Sequence, residues 1–215
     1  GVGAPAFLAT ATHSSWFSMF NPGNSNESIF EIQYNYEENQ TNNLPKLFDN
    51  EHADGIYRIS RALTQMFNSE YSATLYEMKE AVRSMYGGYF VGPDATIFES
   101  ATVSYVWKYL GSQTLSDKRT ASYYDPNFII YRVADVMLMK AEALILRTHG
   151  ENIEDKVEAM KLINEIRTRS NLEIEVEATA EAVEPLDEEA MLQKVLYERT
   201  VELVGEGKAW YDFLR

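Results

Sequence analysis

The feature that most constrains the fold of this 215-residue chain is a series of apolar stripes with helical spacing after residue 131. Apolar residues at steps of three and four lie on one face of a helix, which then packs against a neighbour. The first stripe consists of Val133, Val136, Met137, Ala141, Leu144 and Ile145, and the second of Val157, Met160, Ile163 and Ile166. Gly150 and Asn152 stand between the stripes, as a helix end and a helix N-cap respectively. The pattern predicts a helix hairpin of tetratricopeptide type.

A third stripe follows an acidic segment over residues 173–186. Asp187 restarts a helix there, and Gly205 interrupts the pattern before a further helix begins. The third stripe consists of Leu192, Val195, Leu196 and Leu203, and the last helix begins with Trp210, Phe213 and Leu214. Several repeats at a fixed period are not visible. Residues 131–215 are therefore predicted to form a packed antiparallel helical unit.

Residues 1–130 are less regular and are predicted to form a loop-rich region with short strands and helices. Residues 28–34 have the Ile, Phe and Tyr enrichment of a strand, and an Asn-rich loop is predicted over residues 35–50. Ser60 is a suitable N-cap for a short helix, and residues 96–109 are predicted to be a strand or extended chain. The predicted fold class is mainly α, with tetratricopeptide-type hairpins, irregular loops and a few short strands.

Composition and motif content argue against several function classes. The formal net charge of −14 repels phosphate backbones, so nucleic acid is not an expected partner. The chain has no Cys, and His13, His52 and His149 lack the spacing of a zinc site. Neither a P-loop nor a G-x-S-x-G elbow is present. We therefore assign no cofactor and no metal site and expect no enzymatic activity, with calcium binding by the acidic segment 173–186 as the open alternative.

Charged residues of the helical unit recur where helices are expected to meet. Glu198 and Glu202 are like charges one turn apart, which is unfavourable on an exposed helix. They are better explained if each meets an arginine from another helix, because a guanidinium binds a carboxylate through two parallel hydrogen bonds. We predict a partly buried structural network without catalytic function. Its members are Arg132, Asp135 and Glu142 on the first helix, Arg167 and Arg169 on the second, and Glu198, Arg199 and Glu202 on the third.

Four segments of the helical unit, in order, resemble signature segments of SusD/RagB-type proteins. The similar segments are residues 132–143 (R-x-A-D-x-x-L-x-x-A-E-A), 163–172 (I-N-x-I-R-x-R-A-G-L), 198–203 (E-R-R-x-E-L) and 206–215 (E-G-x-R-W-x-D-L-x-R). Ser170 and Asn171 replace the Ala and Gly of the second segment, and Lys208 stands one place before the usual Arg. Residues 26–34 and 107–109 are similar to segments that precede the helices in the family.

This resemblance implies an outer-membrane surface lipoprotein of Bacteroidetes-type bacteria that captures a nutrient and is not an enzyme. Such proteins bind a glycan, or sometimes an oligopeptide, and cover a SusC/RagA-like TonB-dependent transporter. The resemblance also implies a longer chain whose lipid anchor, its only link to the membrane, lies outside these 215 residues. The helical side is expected to face the transporter, and loops with aromatic side chains are expected to hold the ligand.

Aromatic and amide side chains in the loops are the expected ligand contacts, because sugar rings combine apolar faces with a rim of hydroxyl groups. The residues selected on this basis are Tyr36, Asn39 and Asn42 in one loop, Tyr86 and Tyr89 in a second, and Trp107. Core packing is the alternative for each aromatic residue. Glycan and oligopeptide are not separable from these residues, and a tetratricopeptide-type protein-interaction adaptor is the alternative outside nutrient capture.

Overall fold

The structure is a computed structural model whose described part is mostly helical with a two-stranded sheet, so the predicted fold class is confirmed. It describes residues 4–8, 16, 18–21, 23–49, 57, 60, 62–63, 65–66, 106–111, 124–170 and 172–214. The described elements are β1 (Ser28–Ile32), a 3-10 turn (Tyr36–Glu38), α1 (Leu44–Phe48), α2 (Trp107–Leu110), β2 (Phe128–Arg132), α3 (Val133–Leu146), α4 (Ile153–Arg169), α5 (Ala180–Val183), α6 (Glu188–Glu202) and α7 (Ala209–Leu214).

The predicted hairpin is confirmed as the pair α3 and α4. The Gly150 amide donates to the Ile145 carbonyl at 3.0 Å with a φ of 68°, which closes the end of α3. The Asn152 side chain accepts a hydrogen bond from the Asp155 amide at 2.9 Å and caps α4. Gly150 is also required by packing, since a Cβ there would lie 2.9 Å from the Glu188 backbone at the start of α6.

Helix α6 packs across this hairpin and closes an apolar core. Asp187 caps α6 by accepting a hydrogen bond from the Ala190 amide at 2.8 Å. Buried side chains from all three helices meet, including Leu138, Ala141, Ile145, Met160, Ile163, Met191 and Val195. The stripes that the sequence predicts therefore face one another.

A second core joins the earlier part of the chain to the end of the helical unit. Its buried members are Trp16, Met19, Phe20, Val106, Tyr109, Leu110, Tyr124, Ile129 and Val201. The rings of Phe48 and Tyr109 stack with their centroids 5.9 Å apart. Because Val201 belongs to α6, that helix contributes to both cores.

Strands β1 and β2 pair antiparallel, with Phe30 opposite Tyr131 and Ile32 opposite Phe128. The strand predicted over residues 28–34 is confirmed over residues 28–32, but β2 was not predicted. Strand β2 also crosses the division proposed at residue 131. Arg132 therefore lies at the end of a strand, with a φ of −138°, and not on the first helix as predicted.

Two further local predictions are wrong in the described residues. The segment 35–50 contains α1, in which Pro45 lies in the first turn, where its missing amide donor costs little. Residues 107–110 form α2 instead of extended chain. The expected cap at Ser60 is confirmed, since its hydroxyl accepts from the Leu63 amide at 3.1 Å.

Six charged side chains form a cluster buried between the two cores, with three acids and three bases. We call it the ion cluster; it consists of Glu27, Lys108, Arg132, Arg169, Glu202 and Glu206. Each residue is at most 3% exposed. The formal charges cancel, which is the condition under which buried ions are tolerated.

Arg132 is the centre of the ion cluster. Its Nε and Nη2 donate to the two carboxylate oxygens of Glu206, both at 2.9 Å, in the fork geometry that arginine favours. Its Nη1 lies 2.8 Å from Glu202 and 3.0 Å from Glu27. Nη2 also donates to the Glu202 carbonyl at 3.0 Å. One guanidinium thus joins β2 to α6, to the turn after α6 and to the residue before β1.

Lys108 and Arg169 complete the cluster from α2 and α4. The Lys108 ammonium lies 2.5 Å from Glu206 and 2.9 Å from the Glu202 carbonyl. Arg169 pairs with Glu202 and lies 3.3 Å from Glu27. Every acid of the cluster therefore has at least two cationic partners.

Burial and pairing act in opposite directions on the pKa values of this cluster. Burial lowers the pKa of Lys108 to about 8, although Glu206 opposes the shift. Burial also disfavours the charged forms of Glu206 and Arg132, but their mutual attraction prevails. The pKa of Glu206 lies below its ordinary value, and the pKa of Arg132 lies well above its own.

Removing the central guanidinium should destabilise the fold severely. We expect Arg132→Ala to lower the free energy of unfolding by about 3–5 kcal/mol, because it leaves buried carboxylates without a partner. Urea denaturation measures the loss. Lys140→Ala is the control, since Lys140 and Glu158 form an exposed pair at 2.8 Å that should contribute less than about 1 kcal/mol. Equal losses in both variants would contradict the central position of Arg132.

The ionisation of Glu206 should make the free energy of unfolding depend on pH in the acid range. Its folded-state pKa is lowered, so the unfolded carboxyl, with a pKa of about 4.3, takes up a proton first as the pH falls. The stabilisation by the ionised Glu206 carboxylate is complete above the pKa of the unfolded state. It is lost as the pH falls through the pKa of the folded state. Urea denaturation between about pH 6 and pH 3 should give a flatter pH dependence for Glu206→Gln than for the wild type. Glu181→Gln, an exposed change, should keep the wild-type slope; the same slope in Glu206→Gln would refute the prediction.

Candidate functional site

The six residues selected from the sequence as ligand contacts fall into three groups in the structure. Tyr86 and Tyr89 lie outside the described residues. Trp107 begins α2, and its side chain also lies outside the described part. Tyr36, Asn39 and Asn42 follow β1, and the structure shows the position of each.

Tyr36 and Asn39 belong to a closed turn over residues 35–40, which we call the polar turn. The backbones of Asn35 and Gln40 pair across it, and their two amide–carbonyl hydrogen bonds are both 2.9 Å long. The Asn35 side chain accepts from the Glu37 amide at 2.9 Å, and the Asn39 amide donates to the Tyr36 carbonyl at 2.9 Å. Asn39 has a φ of 59°, a conformation that Asn adopts more readily than most residues. The turn is therefore fixed by its own hydrogen bonds.

The polar turn combines chemical groups that suit a hydroxylated ligand. The Tyr36 ring is half-buried, whereas Glu37, Glu38, Asn39 and Gln40 are exposed. Carboxylates accept hydrogen bonds from sugar hydroxyls, amides both donate and accept, and an aromatic ring covers an apolar face. Because hydrogen bonds fix the backbone of the turn, the backbone loses little conformational entropy when a ligand binds.

Asn42 does not belong to this surface, and we correct its assignment. It is buried, and its side-chain amide donates to the Pro126 carbonyl at 2.8 Å. Its side-chain oxygen accepts from the Leu44 amide at 2.8 Å, at the start of α1. Asn42 therefore fixes the loop against the segment before β2.

A second aromatic surface lies between β2, α3 and α7, in a pocket of about 570 Å³. Tyr131 and Tyr211 line it and are 45% and 68% exposed. However, the Lys208 ammonium lies 4.1 Å from the centre of the Tyr131 ring and 2.9 Å from Asp135. A lysine of the protein thus already covers one face of Tyr131.

The remaining residues of the expected network lie around this pocket and along the helices. The Arg199 guanidinium lies 3.0 Å from the Asp135 carboxylate and 2.9 Å from the Asp212 carboxylate. These two ion pairs join α6 to α3 and to α7. Arg167 on α4 lies 3.5 Å from Glu198 on α6. Glu142 is half-buried two turns along α3.

The described part of the chain offers no group of three or more His, Cys, Asp or Glu side chains able to hold a metal ion. None of its described helices is long and apolar enough to cross a membrane.

Comparison with known proteins gives one consistent family. A curated relative, the SusD-like protein P38 of Formosa agariphila, is 35% identical over 92 residues, which cover 42% of this chain and 17% of the relative. The fold is similar to that of a SusD superfamily protein from Bacteroides vulgatus, with a TM-score of 0.60 and 20% identity. It is also similar to the surface glycan-binding protein A from Bacteroides thetaiotaomicron, with a TM-score of 0.61 and 22% identity.

The chain spans less than half of the length of each of these proteins. It covers 40% of the Bacteroides vulgatus protein and 46% of the Bacteroides thetaiotaomicron protein, while 99% and 97% of this chain are aligned. The model of the SusD family matches residues 57–215. Because this match includes more than half of the chain, the chain belongs to the SusD family.

Proposed function

We propose that this chain is part of a non-enzymatic protein that captures an extracellular nutrient, a glycan, at the outer-membrane surface of a Bacteroidetes-type bacterium. The observation that carries the proposal is the family match over residues 57–215. The similarity in fold to a surface glycan-binding protein supports a glycan over an oligopeptide as the ligand.

We place a ligand contact on the polar turn, with Tyr36 as its aromatic plane and Asn39 as an amide partner. Exposed carboxylates flank both residues, and the hydrogen bonds of the turn fix their positions. The pocket beside Tyr131 is less suitable, because Lys208 lies over that ring. Tyr86, Tyr89 and Trp107 remain proposed ligand contacts.

Family membership also supports delivery of the nutrient to a partner. We propose that the full-length protein, held in the membrane by a lipid anchor outside this chain, covers a SusC/RagA-like TonB-dependent transporter. The helical unit would face that transporter, and the polar turn would stay accessible to the ligand.

Removal of the Tyr36 ring should weaken ligand binding. We expect Tyr36→Ala to lower affinity for the cognate glycan roughly tenfold, since a stacked ring contributes about 0.5–1.5 kcal/mol beyond its buried area. Isothermal titration calorimetry with a panel of glycans and oligopeptides identifies the ligand first and then measures the change, with Tyr89→Ala tested in parallel.

Tyr211→Ala is the matched control, because Tyr211 is an exposed tyrosine on the other aromatic surface. It should bind like the wild type. Unchanged affinity in both Tyr36→Ala and Tyr89→Ala would reject the ligand assignment. A loss of affinity in Tyr211→Ala alone would place the ligand site in the pocket beside Tyr131. Binding of oligopeptides alone would change the proposed ligand class.

The transporter proposal predicts a stable complex. A tagged full-length protein, extracted from outer membranes in mild detergent, should co-purify with a TonB-dependent transporter encoded by a neighbouring gene. Mass spectrometry identifies the partner. Recovery of the full-length protein without any such transporter would contradict delivery of the nutrient to a transporter. It would not contradict ligand capture, which the calorimetry tests separately.

A further inference from the structure

A pocket of about 410 Å³ lies between α4, α6 and the loop that joins α4 to α5. Its size falls in the range of small-molecule sites. It is separate from the polar turn and from the pocket beside Tyr131, so an inference about it does not depend on the proposed function.

The floor of this pocket is apolar and largely buried. Met160 and Ile163 form it from α4, and Val176 and Ala190 contribute from the loop and from α6. Met160 is 1% exposed and Ile163 4%, so both side chains are firmly packed. An apolar body placed on this floor would leave water and gain hydrophobic free energy.

The loop over the pocket is tied to α4 by two hydrogen bonds from buried side chains. The Asn164 amide donates to the Val176 carbonyl at 2.9 Å, and the Arg167 Nε donates to the Glu173 carbonyl at 2.9 Å. The cavity is thus preformed, which lowers the entropic cost of filling it.

Two cations face each other across the mouth, and one exposed carboxylate bridges them. The Arg167 guanidinium lies 3.4 Å from one oxygen of Glu175, and the Lys194 ammonium lies 3.6 Å from the other. Both distances exceed those of a charge-assisted hydrogen bond, about 2.7–2.9 Å. The Glu175 side chain is 57% exposed, whereas that of Arg167 is 6% exposed. The buried cation is therefore fixed, and the carboxylate above it is held weakly.

We propose that this pocket binds a small carboxylate with an apolar body, and that Glu175 is a tethered competitor in the anion position. The ligand carboxylate replaces that of Glu175 between Arg167 and Lys194. Its apolar body packs against Val176 and Ala190, above the buried Met160. With Glu198 also at the pocket, displacement of Glu175 leaves two cations and one acid, so a single negative charge restores neutrality.

The net charge of −14 disfavours anions over the surface as a whole. At physiological salt the screening length is about 8 Å, so distant acids oppose the ligand only weakly. Recognition therefore depends on the two cations at the mouth.

The methyl group of Met160 gives a direct measure of occupancy. The protein, labelled with carbon-13 at the methionine methyl groups, is titrated with hexanoate and followed by NMR. Hexanol and hexylammonium are matched probes with the same tail, and N-acetyl-leucine represents the C-terminus of an apolar peptide. Hexanoate should shift the Met160 resonance more strongly than either matched probe at equal concentration.

Two variants test the competition. Glu175→Gln should bind hexanoate roughly fivefold more tightly than the wild type, because the internal carboxylate is removed while the cations remain. Lys194→Gln should bind it more weakly. Glu181→Gln, which removes an exposed charge from α5 outside this pocket, should leave the affinity unchanged.

The outcomes separate clearly. Tighter binding in Glu175→Gln together with a preference for the carboxylate supports the proposal, and the ratio of hexanoate to N-acetyl-leucine affinity distinguishes a free acid from a peptide terminus. Equal binding of hexanol and hexanoate overturns it, as does an unshifted Met160 resonance in both the wild type and Glu175→Gln.

Discussion

The buried guanidinium of Arg132 is the interaction on which the rest of the structure depends. It contacts Glu27 before β1, Glu202 at the end of α6 and Glu206 in the turn that follows α6. These residues are remote in sequence, and each charge is acceptable in the interior only when its partners are in place. The ion cluster therefore fixes how the sheet, α2 and the helical unit meet. Apolar packing alone would tolerate more than one such arrangement.

The position of the ion cluster between two apolar cores explains why full pairing matters. Val201 belongs to one core and Val195 to the other, and both lie on α6, the helix that ends at Glu202. A low dielectric environment strengthens each ion pair and equally raises the cost of losing one. The same environment lowers the pKa of Lys108, which is nevertheless held against Glu206. Ion pairing in the cluster thus gives Glu27, Lys108, Arg132, Arg169, Glu202 and Glu206 a structural function in the fold.

The sequence predicts those features of this fold that depend on residues close together in the chain. The caps at Asn152 and Asp187, the turn at Gly150 and the apolar faces of three helices are all short-range features. Strand β2 escapes prediction because its residues run directly into a helical stripe, and because its partner β1 lies far earlier in the chain, at Ser28–Ile32. Glu27, Lys108 and Glu206 are missed from the predicted network for the same reason, since only tertiary contacts show that these charges are buried.

The candidate sites differ from the ion cluster in how tightly their charged side chains are paired within the protein. In the ion cluster, Arg132 meets its carboxylates at 2.8–3.0 Å, with no solvent access. At the mouth of the pocket between α4 and α6, Glu175 stands 3.4 and 3.6 Å from its two cations and is exposed. A ligand can compete only where the internal pairing is loose, because displacing a tight buried pair costs several kcal/mol. The same reasoning favours the polar turn over the pocket beside Tyr131. The exposed groups of the turn face solvent, whereas Lys208 already pairs with Asp135 and covers the ring.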